Sequence, residues 1–148
     1  MDKIVWGGSG IEKVVYDYIT SIVPKGGTIL EFGAGYVSTV ALKDDYDLTS
    51  VEHNQEYANI NPNTILCDIK DGFYDLDKSL LKKKYDLIII DGFNRIEFLN
   101  HIDILKKGKR ILIHDTYRDS EIELAYKLSK KLKRKVTFYT DGDYWAVI

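Results

Sequence analysis

Residues 85–92 read YDLIIIDG, and residues 28–35 read TILEFGAG. Each is a short apolar run that finishes on acidic residues and glycine. In LIII the apolar side chains fill consecutive positions instead of alternating, which marks a strand covered on both faces. Such strands belong to a parallel sheet sandwiched between helices. Working outward, LTSVEH, NTILCD and KRILIHD read as further strands of the same kind. Between them lie segments of helical period. Ile11, Val14, Val15, Tyr18, Ile19, Ile22 and Val23 fall on one helical face. Ser9 and Glu12 form a capping-box pattern ahead of it, and Pro24, Gly26 and Gly27 end it. VSTVALKD, RIEFLNHIDILKK and SEIELAYKLSKKL read as helices. KVTFYT and YWAVI flank DGD, an Asp-Gly hairpin signal. The expected fold is α/β and Rossmann-like: a doubly wound, mostly parallel seven-stranded sheet with a C-terminal antiparallel hairpin and helices on both faces. One domain over 1–148 is expected, with a helical entrance segment over 1–24.

The bulk numbers suit that fold. The chain has 148 residues, enough for one substantial core. Net charge is −2, so nothing global points to nucleic acid or an anionic membrane as a partner. The basic runs LKKGKR (105–110) and KLSKKLKRK (127–135) read as solvated helix faces and ends. The single cysteine, Cys67, excludes an internal disulfide and a Cys-rich zinc site. MDKIVWGGSG lacks the pattern of a signal peptide, and no apolar run approaches the roughly 18 residues of a membrane span. A reduced, cytoplasmic protein is the expectation.

Function is written where the strands finish. The first ends in Glu31, Gly33 and Gly35, the second in Glu52 and His53, the third in Asp68, the fourth in Asp91, the fifth in His114 and Asp115. In open parallel sheets, ligands bind beyond the carboxyl ends of the strands, where the winding reverses. Two glycines one residue apart let the backbone approach a ligand closely. A dinucleotide site would have a third glycine where Ser38 stands, and Glu31 is a poor neighbour for a pyrophosphate. No P-loop pattern occurs. An acid-lined rim suits a cationic ligand carrying a ribose and an amino group.

LEFGAG, SVEH and CDI, in that order and at those strand ends, resemble the motifs of class I S-adenosylmethionine-dependent methyltransferases. The resemblance implies S-adenosylmethionine as cofactor. It places the methionine part against Glu31, Gly33 and Gly35, the ribose on Glu52, and the adenine on Asp68 and Ile69. Phe32, Ala34, Ser38, Thr39, His53 and Asp91 complete the expected cofactor site. The physics agrees, since carboxylates favour a sulfonium and one carboxylate can accept both hydroxyls of a ribose.

On the acceptor side two finer likenesses stand out. LIIIDGFN with ILIHDT is similar to the strand ends of metal-dependent catechol-type O-methyltransferases, which would put a divalent cation on Asp91 and Asp115. Thr116 stands where that group has asparagine, a better metal ligand, so no metal is the favoured expectation. EFGAGYVST, SVEHN, IIIDG and IHDTYRDSEIELA more closely resemble the glucuronoxylan and arabinogalactan 4-O-methyltransferase group, whose H-D-x-x-R-x-x-E motif falls on His114, Asp115, Arg118 and Glu121. Phe93 replaces that group's proline. The resemblance implies a uronic acid carbohydrate or other small hydroxyl acceptor, with Asp91, His114, Asp115 and Arg118 as the catalytic set. His114 has the better pKa for a base at neutral pH, while Asp115 could orient it or act itself, and Asp91 stays open as well. Arg118 could fork onto a substrate carboxylate. Trp6, beside GGSG, is expected to close over the site. With so short a chain, selectivity is expected from loops or a homodimer partner. Two other readings stay open: a protein that binds the donor without turnover, and a nicotinamide-dependent oxidoreductase.

Overall fold

A computed structural model describes residues 3–148. Its elements are α1 (Lys13–Ile22), β1 (Thr28–Phe32), α2 (Ser38–Leu42), β2 (Asp47–Glu52), α3 (Gln55–Ala58), β3 (Thr64–Leu66), β4 (Ile69–Lys70), β5 (Phe73–Tyr74), β6 (Leu87–Ile90), α4 (Ile102–Leu105), β7 (Ile111–His114), α5 (Asp119–Leu132), β8 (Thr137–Tyr139) and β9 (Trp145–Val147). Turns of 3-10 helix cover Lys78–Lys82 and Arg95–Asn100. The main sheet has seven strands in the order β3-β2-β1-β6-β7-β9-β8. The β3, β2, β1, β6 and β7 strands run parallel, and β9 lies antiparallel between β7 and β8. The doubly wound sheet with its closing hairpin is therefore as the sequence implies.

The apolar runs act as their pattern demands. Every residue of Leu87–Ile90 and Ile111–His114 is buried. Alternate side chains feed two cores. Leu30, Phe32, Ile88, Ile90, Ile111 and Ile113 face Phe98, Leu124 and Leu128. Ile29, Leu87, Ile89 and Leu112 face Val15 and Ile19 of α1, with Trp145. No helix among the described residues is long and apolar enough to cross a membrane.

Three elements depart from expectation. Helix α1 begins at Lys13, and no side chain caps it. The Glu12 N–H bonds instead to the carboxylate of Asp143, 3.1 Å away, so a distant loop replaces the Ser9 capping box. RIEFLNHIDILKK is not one helix but a 3-10 turn and the short α4, broken at His101. Asn94 enters that turn left-handed at φ 46°, and the Arg95 side chain folds back to the strand ends. Residues 69–74 form a small hairpin on Asp71-Gly72, both at positive φ. Asp-Gly between apolar residues is the sequence signal for it.

Candidate functional site

The order of strands reverses between β1 and β6, and there the two strand ends almost touch. A Cβ on Gly33 would lie 2.4 Å from the carbonyl oxygen of Asp91, and Gly33 sits at φ +94°. Packing alone accounts for that glycine. Gly35 is different: its backbone is not left-handed, and a Cβ there would meet no atom within 4 Å. It opens onto a cavity of about 190 Å³ that is lined also by Ser9, Gly10, Tyr36, Tyr57 and Asp91.

Glu31 does not face that cavity. It is fully buried, and its oxygens accept hydrogen bonds from Ser38 (2.6 Å), Thr39 (2.8 Å) and Ser50 (2.9 Å). Burial lifts its pKa to about 7, against the lowering effect of the three hydroxyls, with the charge of Asp91 adding to the rise. Thr39 Oγ1 in turn accepts the Gly35 N–H at 2.9 Å. Glu31, Ser38 and Thr39 thus form an internal knot that holds the glycine bend. Phe32 is also core, edge-on to Phe98.

The Glu52 carboxylate is buried in backbone donors. Oε1 accepts from Ala34 N–H at 3.1 Å, and Oε2 from the N–H groups of His53 (2.7 Å) and Asn54 (2.8 Å). It therefore ties the end of β2 to the glycine bend. His53 is exposed beside Phe93 and Tyr74, with ring centroids 5.6 and 6.2 Å away. Asp68 is exposed and Ile69 half-buried at the end of β3. None of Glu52, His53, Asp68 and Ile69 lines the cavity, but Glu52 is bonded to Ala34, which does.

The carboxyl ends of β6 and β7 carry the densest chemistry. His114 is 3% exposed, with Nε2 2.7 Å from Asp143 Oδ2 and Nδ1 3.1 Å from Asp91 Oδ1. Asp115 Oδ1 lies 3.4 Å from the same Nδ1. Burial alone would lower the imidazole pKa, but the hydrogen bond and charge of Asp91, with Asp115 and Asp143, raise it to about 9. A carboxylate oxygen against each ring nitrogen favours the protonated imidazole, which tells against His114 as a free base and leaves Asp115 and Asp91 as the alternatives. Arg95 completes the cluster. Its Nη2 lies 3.2 Å from Asp91 Oδ1, its Nη1 2.9 Å from Asp115 Oδ2, and it also donates to the carbonyls of Gly92 and His114. Asp115 itself stands at φ +61°, a conformation that a non-glycine residue holds only under constraint. Asp91, Asp115 and Asp143 thus all meet His114 or Arg95.

Arg118 stands outside this cluster. Half exposed, it donates from Nε to the Tyr117 hydroxyl (3.2 Å) and places Nη2 3.9 Å from Asp115. Tyr117 and Tyr144 are exposed and meet edge to face. Glu121 is buried and accepts from Ser120. Trp6 packs on Tyr16 of α1, and it is Ser9 and Gly10 that reach the cavity.

No family model and no curated protein matches the sequence. Solved structures do match. An archaeal precorrin 8w decarboxylase from Methanobacterium thermoautotrophicum is 14% identical with a TM-score of 0.64, over 97% of this chain and 94% of its own. An O-methyltransferase of tomaymycin synthesis from Streptomyces achromogenes, in complex with S-adenosylmethionine, gives 14%, 0.56, 90% and 76%. A methyltransferase from Pyrococcus furiosus gives 13%, 0.57, 91% and 79%. The chain shares the doubly wound architecture of these proteins, methyltransferases among them. At these identities the likeness speaks for architecture, and chemistry has to come from the site itself.

Two cluster members were missed in the sequence. Asp143 lies inside DGD, where turn chemistry was the evident reason for an aspartate. Arg95 stands four residues after Asp91, and only the left-handed Asn94 between them turns it back to the strand ends.

Proposed function

We propose that the chain is an S-adenosylmethionine-dependent O-methyltransferase for a small hydroxyl acceptor bearing a carboxylate, such as a uronic acid. One observation carries the reading: Gly35 has no packing reason to be glycine, and it opens onto a cavity walled by Asp91.

The residues present fit that donor. Glycine at position 35 lets a ligand lie on the backbone. Asp91 uses Oδ1 for Arg95 and His114, and no hydrogen bond among the described residues reaches its Oδ2. That oxygen favours a cation in the cavity. Glu52 would take the ribose once Ala34 yields its hydrogen bond, and His53 and Phe93 offer aromatic faces for a purine. At about 190 Å³ the cavity is smaller than the roughly 300 Å³ at which small-molecule sites begin. Displacement of the 7–10 loop, where Gly7 and Gly8 sit at positive φ, would enlarge it.

When bound, the donor supplies a methyl group made electrophilic by its sulfonium. The chain's own part is to align the acceptor and receive its proton, and alignment is the larger effect, up to about 7–11 kcal/mol. With His114 already protonated, the proton goes to Asp115, whose Oδ1 carries no closer contact than the 3.4 Å to His114. Arg118 would hold the substrate carboxylate, and Tyr117 and Tyr144 would flank a sugar face.

Methyl-labelled donor incubated with uronic acid glycans and other hydroxy acids tests this directly. Turnover should depend on Asp115 by about a hundredfold (D115N), and Arg118→Met should raise KM with little change in kcat. Tight binding of the demethylated donor without turnover on any hydroxyl acceptor would favour a binding protein. Absence of donor binding would sink the reading.

A further inference from the structure

Asp91, His114 and Asp115 have the outward form of a metal site. One ligand atom from each lies within 4.8 Å of the others, at the ends of adjacent parallel strands. One oxygen of each carboxylate is nevertheless committed to the protein's own donors, and Arg95 lies between the two. Asp91 Oδ1 receives both Arg95 Nη2 and His114 Nδ1. Asp115 Oδ2 receives Arg95 Nη1. The His114 ring has a carboxylate oxygen against each nitrogen, 3.1 Å at Nδ1 and 2.7 Å at Nε2, so a metal at either would have to displace that contact.

A divalent ion sits about 2.0–2.6 Å from its oxygen ligands. The guanidinium nitrogens stand 2.9 and 3.2 Å from the same two carboxylates, which would set a second strong positive charge against the ion. We propose that Arg95 is an internal cation standing in place of a divalent metal, so that the pair Asp91–Asp115 is bridged by the protein itself.

The position is built rather than incidental. Arg95 is 9% exposed and has hydrogen-bond partners on all three guanidinium nitrogens. The planar fork matches two carboxylates and two carbonyls in a way that no ammonium could. Arg95 therefore acts as a positioning residue for Asp91 and Asp115.

Manganese(II) titration of the full chain, read by the EPR signal of free ion, tests this without any methyl donor. It thus stands or falls apart from the proposed reaction. The wild-type protein should leave the ion free up to about 1 mM, and Arg95→Ala or Arg95→Met should bind it at least about tenfold tighter. Asp115→Asn in the Arg95→Met background should remove that binding. A merely structural arginine would lose stability on substitution but would create no metal site. Sub-millimolar manganese binding by the wild type that D91N or D115N abolishes would overturn the proposal. So would a folded Arg95→Met protein with no gain in affinity. If neither neutral variant folds, the wild-type titration alone decides.

Discussion

Gly33 and Gly35 are two residues apart in one bend, yet alanine should act on them in opposite ways. At Gly33 the new Cβ would lie 2.4 Å from the Asp91 carbonyl oxygen and 2.7 Å from Gly92 Cα, on a backbone at φ +94°. The left-handed region costs an L-residue about 1–2 kcal/mol. Forcing a methyl group into packed backbone costs about 1–3 kcal/mol more. Gly33→Ala should therefore lose about 2–5 kcal/mol of stability. At Gly35 the Cβ meets nothing within 4 Å and φ is ordinary. Gly35→Ala should leave stability unchanged or raise it by about 0.4–1 kcal/mol, because it restricts the unfolded chain. The same methyl group would project where a bound donor must lie, and affinity should fall at least tenfold, about 1.4 kcal/mol. Urea denaturation reads the first quantity, and calorimetry with S-adenosylhomocysteine reads the second. Wild-type affinity in Gly35→Ala would refute the assignment of this cavity to the donor, and wild-type stability in Gly33→Ala would refute the packing account.

Two pH predictions follow from the buried charges. Glu31 has its folded pKa raised from 4.5 to about 7, so the folded state holds a proton that the unfolded chain has lost. Its contribution to stability is complete below 4.5 and is lost as pH rises through 7, by about 3 kcal/mol in order of magnitude. Urea midpoints across that range should fall in the wild type and stay level in Glu31→Gln; equal slopes would place the linkage elsewhere. His114 has its folded pKa raised from 6.5 to about 9. Its contribution is complete below 6.5 and is lost through 9, and nitrogen-15 NMR should show an imidazolium at pH 7.5. A ring that titrates near 6.5 would return His114 to the role of base.

The doubly wound sheet was legible because it rests on local pattern. Four consecutive apolar residues in LIII require cover on both faces, and no arrangement of distant groups alters that requirement. Helix boundaries were less legible. Ser9 and Glu12 satisfy a capping pattern, but Asp143, 131 residues from Glu12, takes the N–H instead. The helix expected over 95–107 failed because Arg95 is drawn inward by Asp91 and Asp115, which are neighbours only after β6 and β7 have paired.

The sequence by itself determined the parallel sheet, the glycine bend at the end of β1 and the acidic residues at the strand ends, since period and composition are properties of short segments. What each acid does was decided only by tertiary structure. Glu31 and Asp91 look alike as carboxylates ending apolar strands, yet one is enclosed by three hydroxyls and the other bridges an arginine and a histidine while edging a cavity. The protonation of a carboxylate or an imidazole depends on charges and solvent within a few ångströms, and those neighbours come from strands far apart in the chain.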